Sequence, residues 1–188
     1  MENPNIKILI IPGLGGSGEE HWQSYWLKQY SNSIEVIQDD WNTPTLENWL
    51  HSLNDRILEF DTPIILVAHS LAVSLVLHWT NTYANTNVKG ALLVAPADVD
   101  SPTHTPEIVR GFSAMPISKI PFPSIVVASE NDNFVSLHRA KYFSEQWESD
   151  FVNIGTKGHI NADSKLKYWE EGQLILKKLM IKAEVLKN

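Results

Sequence analysis

Three short runs constrain this chain more than any other feature: Ile8-Leu9-Ile10-Ile11, Ile64-Ile65-Leu66-Val67 and Ile125-Val126-Val127-Ala128. Each is apolar almost without interruption and rich in β-branched side chains. A strand that meets water on one side alternates apolar and polar residues, whereas a strand with no polar face must be covered on both. That is the situation of a parallel sheet held between helical layers. The runs read as strands over 6–11, 63–67 and 124–128, and three more of strand character follow at 33–37, 90–94 and 151–154. Segments of helical spacing separate them, over 21–30, 45–60, 72–83, 136–147 and 164–187. The segment 72–83 is apolar nearly all round, which predicts a buried helix. Strand alternating with helix predicts an α/β fold, a doubly wound six-stranded parallel sheet in three layers. The length of 188 residues predicts one domain, residues 1–188, large enough to bury its core unaided.

Composition removes several chemistries. Cysteine is absent, which excludes disulfides, thiolate-bound zinc, thioether-linked haem and a thiol nucleophile. The seven histidines show no metal-binding spacing such as H-E-x-x-H, so no metal is expected. A net charge of −7 lacks the basic footprint that phosphate backbones require, so no nucleic-acid partner is expected. The start, Met1 to Asn5, has neither a basic nor an apolar signal region, and no stretch approaches membrane-spanning length. The expectation is a cytoplasmic protein without a membrane partner, its Lys-rich end through Lys187 forming the solvated face of a terminal helix.

Residues 95–123 carry six prolines and read as one long irregular connection. Such a loop, leaving the carboxyl end of a strand, is either an ordinary surface crossing or a wall or lid for a ligand site.

The chemistry is signalled by Ala68-His69-Ser70-Leu71-Ala72, set between a buried strand and a buried helix. A serine at a sharp strand-to-helix turn is lifted to the top of the sheet, the arrangement of a nucleophile elbow. Small residues at 68 and 72 let the backbone pass, although both are Ala where the familiar pattern G-x-S-x-G has Gly. The plainer alternative is a helix N-cap. The serine needs a base and an acid, and on this architecture they follow in the order Ser, acid, His, each past a later strand. Asp132 lies in the polar turn Ser129-Glu130-Asn131-Asp132-Asn133, and His159 in the Gly-flanked loop Gly155-Thr156-Lys157-Gly158-His159. Alone, Asp132 could serve an Asx turn and His159 could be a loop residue without a role; three suitable residues at three strand ends in that order point to a triad. The expected oxyanion donors are the N–H of Leu71 and the N–H of Leu14, in the loop Pro12-Gly13-Leu14-Gly15-Gly16-Ser17-Gly18.

Other readings stay open. Asp98 and Asp100 follow the fourth strand and are alternative triad acids. Gly13 to Gly18 fits G-x-G-x-x-G, with Asp39 or Asp40 as the ribose-binding acid of a dinucleotide site, although no P-loop lysine is present. His69 reads as a packing or rim residue and His21 as a helix-start residue able to touch substrate. The seven tryptophans read as packing groups.

Taken together, Pro12–Trp22 as P-G-L-G-G-S-G-x-x-H-W, Asp39–Pro44 as D-D-W-N-x-P, A-H-S-L-A, S-E-N-D-N-F-V and G-H-I-N resemble the small serine hydrolases that include retinoblastoma-binding protein nine and the bacterial YdeN-like proteins. The resemblance covers nearly the whole chain. It implies a minimal α/β-hydrolase fold without a large lid domain, no cofactor, and a triad of Ser70, Asp132 and His159 acting on a small or peptide-like ester or amide. The chain departs from the family at Asp132-Asn133, where Asp-Pro is common, and at Ala162-Asp163-Ser164-Lys165, where a Ser-Gly stretch is usual. The rival implication is a protein-interaction module that retains a hydrolase fold. Its best-known binding motif, L-x-C-x-E, needs a cysteine that this chain lacks.

Overall fold

The computed structural model describes residues 6–185, so Met1 to Asn5 and the last expected helical turn at 186–187 lie outside the described residues. Six parallel strands form one sheet in the order β2-β1-β3-β4-β5-β6: β1 (Lys7–Ile11), β2 (Ser33–Glu35), β3 (Ile64–His69), β4 (Val88–Val94), β5 (Ser124–Ala128) and β6 (Asp150–Asn153). Alternate side chains of each central strand enter two separate cores. Leu9, Leu66, Leu93 and Val126 pack on one face with α2 (Leu46–Leu58), α3 (Leu71–Thr82) and α4 (Leu137–Gln146). Ile10, Val67, Leu92 and Val127 pack on the other with α1 (Trp22–Gln29) and α5 (Glu170–Lys182). The continuous apolar runs are therefore strands with no solvent face, as the sequence predicts. This is a three-layer α/β architecture, and no large lid covers the sheet among the described residues.

Helix α3 is the buried one. Leu71 to Leu77 and Trp79 are all buried; its outer side is closed by the 3-10 helix Glu107–Phe112, whose Phe112 carbonyl accepts from Ser74 Oγ at 3.3 Å and His78 Nε2 at 2.9 Å. The chain leaves β1 toward β2 at one side and returns as β3 at the other. The carboxyl ends of β1 and β3 thus flank a topological switch point, where open α/β sheets bind ligands. No helix among the described residues is long and apolar enough to cross a membrane.

The expected helix over 164–187 is corrected. A 3-10 turn, Ala162–Ser164, comes first, and the α-helix begins only at Glu170. Between them Lys165, Lys167 and Trp169 adopt positive φ of 52°, 51° and 41°. The reason lies in packing that period counting does not see: the Trp169 ring is buried against Trp22 and Trp26, with centroids at 4.9 and 5.8 Å. Seating the indole there breaks the helix. Strand β2 is also shorter than 33–37, ending at Glu35.

The seated indole leaves no room at Gly172, where an added Cβ would stand 2.3 Å from the Trp169 ring. Gly→Ala in a helix normally stabilises by roughly 1 kcal/mol. Here the sign reverses, and Gly172→Ala lowers stability by about 1–3 kcal/mol in urea unfolding, the cost typical of overpacking.

Candidate active site

Ser70 occupies the turn between β3 and α3 with φ 59° and ψ −120°, backbone that an L-residue adopts only under strain. Its side chain makes no capping bond, so the N-cap alternative is set aside. The strain is held by what lies behind: β3 is buried along its whole length and α3 along its first seven residues. From β1 the Gly-rich loop presses against the turn. A Cβ on Gly13 would stand 2.9 Å from both the His69 carbonyl oxygen and Ser70 Cβ, so only glycine fits there. Leu14 and Leu71 line the cavity beside Ser70, and neither backbone N–H is taken up by a hydrogen bond among the described residues.

The structure brings Ser70, His159 and Asp132 together. His159 Nε2 lies 2.8 Å from Ser70 Oγ, and its Nδ1 lies 2.9 and 2.8 Å from the two Asp132 carboxylate oxygens. The carboxylate only accepts, so Nδ1 carries the proton and Nε2 accepts from the serine hydroxyl. The Asp132 side chain is fully buried and that of His159 is 10% exposed. Phe134 lies over the imidazole at 4.4 Å between centroids. Asp132 Oδ1 also accepts from the Phe134 amide at 2.8 Å, so the Asx turn exists and serves to aim the carboxylate.

Four contacts hold the histidine loop. Asn131 Oδ1 accepts from the Gly158 amide at 2.8 Å, and Ser129 Oγ accepts from the Lys157 amide at 2.8 Å. On the far side, His69 Nε2 donates to the His159 carbonyl at 2.9 Å, and Trp22 Nε1 donates to the Ile160 carbonyl at 2.8 Å. Sequence reasoning missed these supports. The signal was present in the S-x-N-D and H-W spellings, but their meaning depends on loops 27 to 138 residues apart coming together.

His69 therefore does more than fill the rim. Burial, then the neighbouring His21 and His159, hold its pKa well below the usual histidine range, so it stays neutral while it donates. His21 starts α1, its Nδ1 accepting from the Gln23 amide at 3.2 Å, and its ring stands edge-on to His69 at 4.8 Å. The cavity above Ser70 has a volume of about 270 Å³, and Thr105, Pro106 and Val109 of the Pro-rich connection form one wall. Arg110 stiffens that wall, donating to the carbonyls of Val99, Ser101 and Thr105 at 2.6–2.9 Å. Segment 95–123 is thus a braced side of the site.

The alternative acids fall elsewhere. Asp98 and Asp100 both pair with Arg139, at 3.2 and 3.1 Å, and no contact joins them to His159. The dinucleotide reading also fails on geometry. The Gly15 amide donates to the Trp41 carbonyl and that of Gly16 to the Gly13 carbonyl, leaving these two turned to protein acceptors instead of a phosphate. Helix α1 starts only at Trp22, past Gly18. Asp39 accepts from Asn48 of α2, and Asp40 from the Asn42 and Thr43 amides within its own turn.

A family described as serine hydrolase matches residues 8–178 of the chain. No curated protein matches it. Among solved structures, a protein described as a YdeN-like hydrolase from Pectobacterium atrosepticum is 29% identical, with 96% of this chain and 91% of that chain covered and a TM-score of 0.82. The ydeN gene product of B. subtilis is 20% identical over 94% and 99% of the two chains, TM-score 0.79. Est1E from Butyrivibrio proteoclasticus is 17% identical over 98% and 91%, TM-score 0.73, a likeness of fold.

Keeping two histidines buried and neutral has a pH consequence. Burial, then the charge of His159, pushes His21 from the ordinary 6.5 down to about 4. The unfolded chain takes up a proton that the folded one refuses, so this stability is present above about pH 6.5 and lost as pH falls toward 4. Urea unfolding should show His21→Asn escaping about 2 kcal/mol of the loss that the parent suffers between pH 7 and pH 5.

Proposed function

The chain belongs to the serine hydrolase family, and from that premise we propose that it hydrolyses small esters or amides by acyl transfer through Ser70, His159 and Asp132. One observation carries the reading: an unbroken line of short contacts runs from Ser70 Oγ through both imidazole nitrogens to a buried carboxylate. A serine hydroxyl is a weak nucleophile until a neutral imidazole removes its proton. In the proposed cycle, Ser70 Oγ attacks the substrate carbonyl carbon while its proton passes to His159 Nε2. Asp132 keeps the imidazole in the Nδ1–H tautomer and stabilises the imidazolium. The carbonyl oxygen, now an oxyanion, receives hydrogen bonds from the Leu14 and Leu71 amides. Collapse breaks the bond to the leaving group, which departs with the proton from Nε2. Water then attacks the acyl carbon while its proton passes to the same nitrogen; collapse breaks the bond to Ser70 Oγ, which takes that proton back as the acid leaves. The whole cycle needs no cofactor, and residues 1–188 are proposed to act as one domain.

The cavity supports a short acyl group. Its volume of about 270 Å³ is at the small end for ligand sites, and Arg110 braces the wall that a long chain would have to displace. We expect higher kcat/KM on p-nitrophenyl butyrate than on the palmitate ester; the opposite order would contradict a braced wall.

The acid is tested separately. Asp132→Asn should leave the circular dichroism spectrum unchanged and lower kcat/KM on an activated ester by about 10⁴-fold, the size seen when a serine-protease triad loses its carboxylate. That is about 5 kcal/mol in the barrier. Asp98→Asn weakens a pair with Arg139, and Asp100→Asn weakens another together with the bonds from Ser113 Oγ and the Met115 amide; neither touches His159, and each should change kcat/KM by less than about tenfold. A crippled Asp98→Asn beside an active Asp132→Asn would reassign the acid.

A further inference from the structure

His21 is a polar side chain of the cavity whose chemistry the proposed cycle leaves unused. It is 5% exposed and lines the same cavity as Ser70 and Leu14. Its tautomer follows from its role at the start of α1. Nδ1 accepts from the Gln23 amide at 3.2 Å, so the lone pair is at Nδ1 and the proton at Nε2. Among the described residues, Nε2 has no protein partner. The ring is fixed on two sides, edge-on to His69 at 4.8 Å and beside Trp22 at 5.5 Å. A fixed N–H on a residue that lines the cavity, with no acceptor among the described residues, is a group that an acceptor on a bound molecule can meet.

His21 is not a second base. Ser70 Oγ is already bonded to His159 Nε2, and burial holds the His21 ring neutral with its pKa near 4. What it offers is a neutral donor, in a cavity whose opposite wall, Pro106 and Val109, is apolar.

We propose that His21 is a specificity residue whose Nε2–H donates to a second oxygen of the substrate, selecting esters or amides that carry an ether, hydroxyl or carbonyl oxygen a few bonds from the scissile carbonyl. This rests on the hydrolase reading above and adds the substrate class. A cavity that leaves a donor unpaired with an all-carbon substrate discriminates against it, because a buried polar group without a partner costs free energy on binding.

Matched pairs of substrates test it, each differing by one ether oxygen in place of a methylene. p-Nitrophenyl methoxyacetate against p-nitrophenyl butyrate places the oxygen in the acyl group. 2-Methoxyethyl butyrate against butyl butyrate places it in the leaving group. The variants are His21→Asn and His21→Ser, which both keep an oxygen able to cap α1 but are too short to place a donor where Nε2 stands. The expected result is a fall of about tenfold in the ether-to-methylene ratio of kcat/KM for one of the two pairs, carried by KM, in both variants. The pair that responds tells which end of the substrate His21 meets. Ratios unchanged in both pairs, with the parent enzyme still labelled on Ser70 by a fluorophosphonate, would overturn this proposal alone. A parent that neither labels nor turns over either ester would overturn the hydrolase reading and this proposal with it.

Discussion

The site hangs on one backbone turn. Between a strand with no solvent face and a helix buried along its first two turns, Ser70 is held at φ 59°, a conformation that costs an L-residue on the order of 1–3 kcal/mol. Neither neighbour can relax that strain without pulling apolar side chains out of the two cores. The same crowding explains Gly13, whose missing Cβ lets the loop after β1 touch the turn. Leu14 of that loop and Leu71 of the turn line the same cavity as Ser70. The proposed cycle draws on this rigidity: a hydroxyl fixed by its backbone needs no reordering before it attacks.

A second set of constraints aims the imidazole at that hydroxyl. The loop bearing His159 is caught between the acid turn, through Asn131 and Ser129, and the α1 side, through His69 and Trp22. Each partner bonds a backbone group of the loop and leaves the ring free to bond Asp132 and Ser70. His69 joins the two halves of the arrangement: its own backbone belongs to β3, one residue before the serine, and its side chain holds the carbonyl of the base. Among the four partners of the loop, His69 thereby ties it directly to the strand that leads into Ser70.

Strands β1, β3 and β5 were legible in the sequence because burial on both faces leaves a local mark, the unbroken β-branched run; the three runs without that mark also lie on strands. The carboxyl-edge placement of Ser70, Asp132 and His159 was legible for a related reason, since each directly follows such a run. Long-range side-chain to backbone bonds leave no comparable trace. Trp22 reading the Ile160 carbonyl, Arg110 gathering three carbonyls and Arg139 claiming Asp98 and Asp100 could not be seen from spacing. The terminal helix was overextended for the same reason: Trp169 is drawn into the tryptophan cluster of α1, and tertiary packing overrode local helical spacing.

The central claim is that this geometry makes Ser70 a nucleophile, and covalent trapping tests it most directly. The folded protein is incubated with a fluorophosphonate and digested, and the adduct is located by mass spectrometry. The account predicts a single stoichiometric adduct on Ser70. An adduct on another serine, or none at high probe concentration with the protein folded, would contradict it.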